Sequence, residues 1–322
     1  MELTYKVKDK PKFGAMLVFA LQQLLAILAA TIAVPTIVGN GMDTAAALFG
    51  AGVGTLVYLL FTGFRSPVFL GSSFAFIGSM CAAFAGAGSV AALGYLGLLI
   101  GAIFAGLVYV VIALVVKIAG VKWISKLMPA VVIGPTVSII GLSLAGNAVS
   151  DAFKGKYMVD SVVNGLADSN GTIHTITEPF VEKVSSANIY VCLVCALVTL
   201  FTVVLASVYG KKTAKLIPFI IGILAGYAVA AIFTVIGINT GNDALKIINF
   251  DAFKGLKIFS VPDFTMIEAF KGFEHLSGSY IATVAAAYIP VAFVVFAEHI
   301  ADHKNLSSII GSDLLEDPGL HR

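Results

Sequence analysis

The chain has few charged residues. They make up 12% of its 322 residues, and between Gly14 and Val116 only Asp43 and Arg65 are charged. Since a soluble domain carries about 25% charged residues, the composition argues against an ordinary soluble domain. The formal net charge is +2, and the chain has no cluster of basic and aromatic side chains, so nothing in the sequence indicates a nucleic-acid partner.

Cysteine is also scarce, and the features of a signal peptide are missing. Cys81, Cys192 and Cys195 all lie in apolar segments. The Cys192-x-x-Cys195 spacing fits half of a redox or zinc motif, but no second pair accompanies it, so we interpret these cysteines as packing residues. The basic residues 1–13 precede an apolar run that is long enough to span a membrane and has no clear cleavage site, which does not fit a signal peptide.

Long hydrophobic runs dominate the chain instead. Hydrophobic residues account for 59% of the sequence, and the mean hydropathy is +0.98. A membrane-spanning helix needs about 20 mostly apolar residues. The runs therefore predict an all-α polytopic membrane protein with about eight spans, at residues 14–37, 44–63, 66–88, 90–116, 128–148, 187–209, 216–238 and 279–303.

The distribution of Lys and Arg predicts the orientation of these spans. Every short basic loop falls on the same side as the N-terminus, and the long loops 149–186 and 239–278 fall on the other side. Because short cytoplasmic loops carry the excess of positive charge, we expect the N-terminus in the cytoplasm. The expected location is the inner (plasma) membrane, with the lipid bilayer as the surrounding partner.

Glycines within the spans indicate close helix packing. Gly50, Gly52 and Gly54 resemble a dinucleotide-binding fingerprint only weakly, because no soluble strand precedes them. Small residues let membrane helices approach one another, which is the interpretation that we prefer for them.

The third span contains a predicted break. Pro67 interrupts the helix and biases its neighbours toward an extended form, and Ser72 and Ser73 are good N-caps for a helix that begins near Phe74. We expect about five extended residues followed by half a helix. The free amides at its N-terminus can bind an anionic or carbonyl-bearing ligand. The open alternative is an ordinary span with a serine kink.

Four ionisable residues end the last apolar run. Residues 281–297 carry no charge, and Glu298, His299, Asp302 and His303 then follow within six positions. Ionisable groups in a membrane helix are costly, so they mark a candidate functional site. The i, i+4 spacing puts Glu298 and Asp302 on one helix face and the two histidines on the adjacent strip.

The same four residues leave an enzyme as the weaker alternative. His299-Ile-Ala-Asp302-His303 mimics an H-x-x-E-H metalloprotease motif with aspartate in place of glutamate. Because the acid is shortened and no third ligand is apparent, we expect no metal site and no enzymatic activity.

Three segments together resemble the nucleobase–ascorbate transporter (nucleobase:cation symporter) family, specifically its bacterial uracil permeases. They are LQQLLAILAATIAVP at 21–35, FLGSSFAF at 69–76, and residues 298–322, which begin with Glu298-His299 and end in DLLEDPGLHR. The resemblance implies secondary active transport, with proton-coupled uptake of uracil as the expected function. A purine such as xanthine or urate is the alternative substrate.

The family has fourteen spans in two inverted seven-span repeats, and the resemblance covers the first repeat and the start of the second. Spans nine to fourteen would be missing. We therefore expect the 322 residues to be incomplete, and either to transport nothing by themselves or to need a partner such as a second copy in a homodimer.

The resemblance also implies a division of the chain. The parts are a cytoplasmic N-terminus at 1–13, core-domain spans one to four at 14–126, gate-domain spans five to seven at 127–238 with the outer loop 149–186, an outer loop at 239–278, core-domain span eight at 279–310 and a cytoplasmic linker at 311–322.

The resemblance also implies roles for individual residues. Glu298 resembles the family's substrate-binding carboxylate, Ser73 and Phe74 resemble the junction that contacts the substrate, and Ala30 resembles a small residue that leaves room for the ring. Proton coupling is expected to involve Glu298, Asp302, His303 and His299, with the proton as coupling ion and no other cofactor. Because the family places the carboxylate near mid-membrane, we expect span eight to start later than Ser279 and to continue through Ile310.

Overall fold

The computed structural model describes residues 5–127, 129–155, 158–167, 173–210, 214, 217–250, 254 and 261–322. Within these ranges, seven helices are long and apolar enough to cross a membrane, and a shorter apolar helix covers Phe74–Ala87. The predicted all-α membrane fold is confirmed, whereas the exact number of spans stays a prediction. The regular elements are α1 (Phe13–Val38), α2 (Thr44–Phe61), a 3-10 turn (Phe74–Phe76), α3 (Ile77–Ala87), α4 (Ala91–Ala119), α5 (Lys122–Leu127), α6 (Ala130–Ser143), α7 (Ala145–Ala152), β1 (Met158–Ala167), β2 (Ile173–Ser185), α8 (Ile189–Tyr209), α9 (Pro218–Thr240), 3-10 helices at Asp243–Leu245 and Thr265–His275, α10 (Gly278–Ile310) and a π turn (Leu315–Gly319).

These elements form two compact units. One contains Met1–Ser143 and Val261–Arg322, and the other contains Leu144–Ser260. Helix α6, which the resemblance assigns to the gate domain, falls in the first unit together with the predicted core spans. The roles of core and gate stay predictions, and residues 251–253 and 255–260 of the predicted outer loop 239–278 lie outside the described ranges.

The third predicted span is a broken helix, as expected. Residues 67–73 form neither helix nor strand, and the 3-10 turn then leads into α3. Ser73 occupies the N-cap position with extended backbone dihedrals (φ −93°, ψ 122°), but its side chain makes no capping hydrogen bond. The Ser72 hydroxyl donates to the Thr31 carbonyl of α1 at 3.1 Å. The predicted break is confirmed, and Ser73 is the N-cap residue of a helix that begins at Phe74, as predicted, although the cap has no side-chain hydrogen bond.

The core of the first unit lies where α3, α4 and α10 meet. The Tyr280 hydroxyl on α10 lies 2.8 Å from the carbonyl oxygen of Ala83 on α3 and 3.0 Å from that of Leu93 on α4. A Cβ atom at Gly97 of α4 would overlap the Tyr280 ring, so the absent side chain lets the two helices touch. The Ser79 hydroxyl adds a 2.7 Å hydrogen bond from α3 to the carbonyl of Ala287.

The glycines of α2 behave differently. A Cβ atom added at Gly50, Gly52 or Gly54 meets nothing within 4 Å in the part of the chain that the structure describes. The prediction that these three glycines serve close helix packing is therefore wrong for the described residues.

Helix α10 is long. Ser277 caps its first turn by accepting a hydrogen bond from the Tyr280 amide at 3.2 Å, and Gly311 ends it with φ 71°. At 1.5 Å per residue its 33 residues measure about 50 Å, more than the roughly 30 Å of hydrocarbon in a bilayer. The predicted continuation through Ile310 is confirmed. The helix begins at Gly278, and the predicted late start of the membrane-spanning part within it stays a prediction.

The second unit contains a β-hairpin that the sequence analysis did not predict. Strands β1 and β2 pair antiparallel from Met158↔Ser185 to Ala167↔Ile173, with an irregularity between Val163 and Gly165. The hairpin lies in the predicted outer loop 149–186, between α7 and α8, so it replaces none of the helices.

The two cysteines of α8 lie in the core of this second unit. Cys192 and Cys195 are free and buried, and they share a cluster with Ala230 of α9. Their interpretation as packing residues is confirmed.

Candidate functional site

A cavity of about 670 Å³ lies in the first unit, between the extended segment, α2, α4 and α10. The extended segment is defined as residues 67–73. The cavity wall contains every residue that the sequence analysis assigned to the site except Ala30, namely Ser73, Phe74, Glu298, His299, Asp302 and His303. The fold therefore brings together residues that are more than 200 positions apart in the sequence.

Ala30 lies outside this set. It is exposed on α1 and is not part of the cavity wall. The next residue of α1, Thr31, contacts the extended segment, since its carbonyl accepts a hydrogen bond from the Ser72 hydroxyl. The expected role of Ala30 as a residue that leaves room for the ring stays a prediction.

Glu298 is half-buried on the face of α10 that lines the cavity. Within the described ranges, no protein group forms a hydrogen bond or an ion pair with its carboxylate. Partly buried carboxylates are normally paired or hydrogen-bonded. This carboxylate is therefore free to accept hydrogen bonds from a ligand in the cavity.

His303 is held by a chain of hydrogen bonds. Its ring is buried, with Nδ1 3.1 Å from the carbonyl oxygen of His299, one turn earlier in α10. Its Nε2 lies 2.9 Å from the hydroxyl of Tyr58 on α2, and that hydroxyl lies 2.9 Å from Oγ of Ser66. Ser66 is fully buried, so the chain is shielded from solvent at that end.

The other two ionisable residues of α10 lie beside His303. The His299 and His303 ring centroids are 4.2 Å apart. The Tyr109 ring of α4 stacks on His299, with the two ring centroids 6.0 Å apart. Asp302 is exposed and lines the cavity. The site thus contains two carboxylates and two imidazoles, groups that exchange protons readily.

The sequence analysis missed three parts of the site. Tyr58 and Tyr109 line the cavity, and so does the segment after α10 through Leu314 and residues 318–322. That segment is held by the buried Leu314 and by an ion pair between Asp317 and Arg65. A signal existed for Tyr58, since a phenolic hydroxyl within an apolar span needs a hydrogen-bond partner.

The cavity does not have the geometry of a metal centre. In the part of the chain that the structure describes, no group of three or more His, Cys, Asp or Glu side chains is arranged to hold a metal ion. His299 and His303 therefore lack the further ligands that a zinc site requires.

Long apolar helices around a broken helix, beside a carboxylate that has no partner in the described ranges, define a multi-pass membrane protein. The chain belongs to the Permease family (Xan_ur_permease), which it matches over residues 14–322.

Curated relatives have corresponding names. The chain is 37% identical to a uracil permease of Bacillus subtilis (strain 168) and 34% identical to one of Bacillus caldolyticus, each over 98% of this chain. It is 31% identical to a uracil permease of Escherichia coli (strain K12), also over 98% of this chain. The chain spans 61% of the length of the two Bacillus proteins and 60% of the Escherichia coli protein.

Proposed function

We propose that the cavity is the nucleobase-binding site of a proton-coupled permease and that its substrate is uracil. The observation that carries this proposal is the half-buried Glu298 carboxylate, which lines the same cavity as the N-terminal end of a half-helix and has no partner in the described ranges. The names of the relatives support uracil as the first substrate to test.

The chemistry of a pyrimidine base suits this arrangement. Uracil carries ring N–H groups, which donate hydrogen bonds, and carbonyl oxygens, which accept them. Glu298 is a pure acceptor when ionised and fits the N–H groups. The first amides of a helix have no intrahelical acceptor, so the turn that begins at Phe74 has donors for a carbonyl oxygen. One acceptor and one set of donors in the same cavity orient a flat ring.

Proton coupling assigns a task to the remaining residues of the site. His299, Asp302 and His303 lie within five residues of Glu298 on α10, so a proton has short steps between them. Uptake driven by an inward proton gradient requires the plasma membrane, and the distribution of Lys and Arg supports a cytoplasmic N-terminus.

A purine is the second candidate substrate, because the cavity is large. Small-molecule pockets measure about 300–1,000 Å³, and 670 Å³ has more room than a single six-membered ring needs. Xanthine or urate therefore belongs in any competition experiment.

Equilibrium binding of radiolabelled uracil to the purified chain in lipid nanodiscs tests the proposal. We expect saturable binding that unlabelled uracil displaces at lower concentration than xanthine does. Displacement by xanthine at the lower concentration would assign the cavity to purines. Absence of saturable binding of either base would contradict a nucleobase site in this chain.

A further inference from the structure

Tyr58 has no part in the proposed binding of the base, yet it makes the only side-chain hydrogen bond to the His303 ring among the described residues. It comes from a different helix, α2, and is separated from His303 by 245 positions. The side-chain oxygen of Ser66 completes the contact at 2.9 Å from the Tyr58 hydroxyl.

The geometry determines the tautomer of His303. A backbone carbonyl only accepts hydrogen bonds, so the 3.1 Å contact to the His299 carbonyl requires a hydrogen on Nδ1. A neutral imidazole carries one ring hydrogen, which leaves Nε2 as an acceptor. In the neutral state, therefore, the Tyr58 hydroxyl donates its hydrogen to Nε2.

The same three groups also fit the charged state. A protonated His303 carries hydrogens on both ring nitrogens, so Nε2 then donates to the Tyr58 oxygen. The Tyr58 hydroxyl turns its hydrogen toward Oγ of Ser66, which accepts it at the same distance. Nε2 of His303 therefore stays hydrogen-bonded to Tyr58 in both protonation states, because the Tyr58 hydroxyl reverses its direction.

We propose that Tyr58 is a positioning residue for proton coupling: its hydroxyl holds the His303 ring in one orientation and stabilises both of its protonation states. This inference rests on the proposed function, since it presumes that His303 takes part in the coupling.

Other titratable groups surround His303 without replacing Tyr58. Helix α10 contributes Glu298, Asp302 and the ring of His299, and α4 contributes Tyr109, which stacks on His299. The segment after α10 contributes two more groups to the same cavity, namely His321 and Arg322. In the described ranges none of these side chains hydrogen-bonds to a ring nitrogen of His303.

The test is nitrogen NMR on the whole 322-residue chain in nanodiscs with ¹⁵N-labelled histidine side chains. The chain has five histidines, and loss of signals in His303→Gln identifies those of His303. We expect the wild type to show the neutral tautomer with hydrogen on Nδ1 and a hydrogen-bonded Nε2. In Tyr58→Phe, the Nε2 signal should move to the position of an imine nitrogen without a donor.

Tyr95→Phe is the matched control, since it removes a buried tyrosine hydroxyl of the same unit that lies outside the cavity and donates to the Asn40 carbonyl at 2.6 Å. It should leave the His303 signals in place. Should Tyr58→Phe fail to fold, 3-fluorotyrosine at position 58 keeps the shape and changes the acidity of the hydroxyl, so the Nε2 signal should still move. A change in melting temperature alone would not move the Nε2 signal, so the spectrum separates positioning from a merely structural role.

Proton uptake upon addition of saturating uracil, measured with an indicator dye in weak buffer, supplies the second readout. We expect Tyr58→Phe to take up less than half as many protons as the wild type, and Tyr95→Phe to take up as many as the wild type. An unchanged Nε2 signal or unchanged proton uptake in Tyr58→Phe would overturn the inference. Absence of proton uptake in the wild type would instead contradict the proposed coupling, and the Nε2 signal would still decide whether Tyr58 positions His303.

Discussion

The Ser72 hydroxyl donates a hydrogen bond to the Thr31 carbonyl at 3.1 Å and joins the extended segment to α1. Thr31 is itself buried, and a Cβ atom at Gly71 would lie 3.1 Å from its Oγ1. A second connection comes from α2, where the Thr55 hydroxyl accepts the Leu70 amide at 3.0 Å. The backbone that begins the half-helix is therefore held by two neighbouring helices.

Removal of the Ser72 hydroxyl should loosen this backbone. A typical hydrogen bond contributes about 1 kcal/mol, so we expect Ser72→Ala to lower the free energy of unfolding by about that amount. We also expect weaker uracil binding, because the start of the half-helix lines the cavity. Thermal unfolding and the uracil Kd measure the two effects.

Ser308→Ala is the control, because the Ser308 hydroxyl is exposed and bonds only within its own helix, to the Asn305 carbonyl. Equal uracil affinity in Ser72→Ala and the wild type would show that the bond to Thr31 does not support the site.

The contact of α4 with α10 should tolerate no side chain at Gly97. A methyl group there overlaps the Tyr280 ring, and overpacking of a well-packed interior costs about 1–3 kcal/mol. Gly97→Ala should therefore lower the melting temperature in detergent. Gly106→Ala lies in the same helix with no described neighbour within 4 Å of the added carbon, so it should leave the melting temperature unchanged or raise it. Equal melting temperatures in both variants would contradict this packing.

Asp43 should make stability depend on pH. Its carboxylate caps α2 by accepting a hydrogen bond from the Ala45 amide at 2.9 Å, and it accepts a second one from the Asp263 amide at 2.7 Å. These hydrogen bonds, that of Ala45 first, lower the pKa of the Asp43 carboxyl below its ordinary value of 3.8. Because the folded-state pKa is the lower one, this stabilisation is complete well above pH 3.8 and is lost as the pH falls through the folded-state pKa.

Asp43→Ala checks that assignment. Loss of an N-cap costs about 1 kcal/mol, so the variant should melt at a lower temperature near pH 7. The difference from the wild type should shrink as the pH falls below 4 and through the folded-state pKa of Asp43, since the wild type then loses its ionised cap. A difference that stays constant with pH would assign the stabilisation to uncharged contacts.

Local sequence signals predicted the broken span well. Pro67 and Ser73 determine the backbone of their own neighbourhood, so the break and the start of the half-helix could be located from a few residues. The charge-free run before Glu298 likewise identified the part of α10 that faces the cavity. Such features depend on residues that are close in the sequence.

Contacts between distant residues could not be predicted in this way. A Cβ atom added at Gly97 would collide with Tyr280, whereas one added at Gly52 meets nothing within 4 Å among the described residues. Which of the two glycines packs closely depends on which helix faces are neighbours. Tyr58 and His303 meet for the same reason, across 245 positions. Strand pairing in the hairpin also joins distant residues, and the sequence analysis treated its segment only as a loop.

The most direct test of the account is the affinity of the purified chain for uracil with and without the Glu298 carboxylate. Glu298→Gln keeps the shape of the side chain but presents an NH₂ group where the account needs an acceptor. Glu274→Gln makes the same change at an exposed glutamate outside the spans. The account predicts at least a tenfold increase in Kd for Glu298→Gln, with Glu274→Gln equal to the wild type. Equal affinity in all three proteins would contradict the assignment of Glu298 as the residue that binds the base.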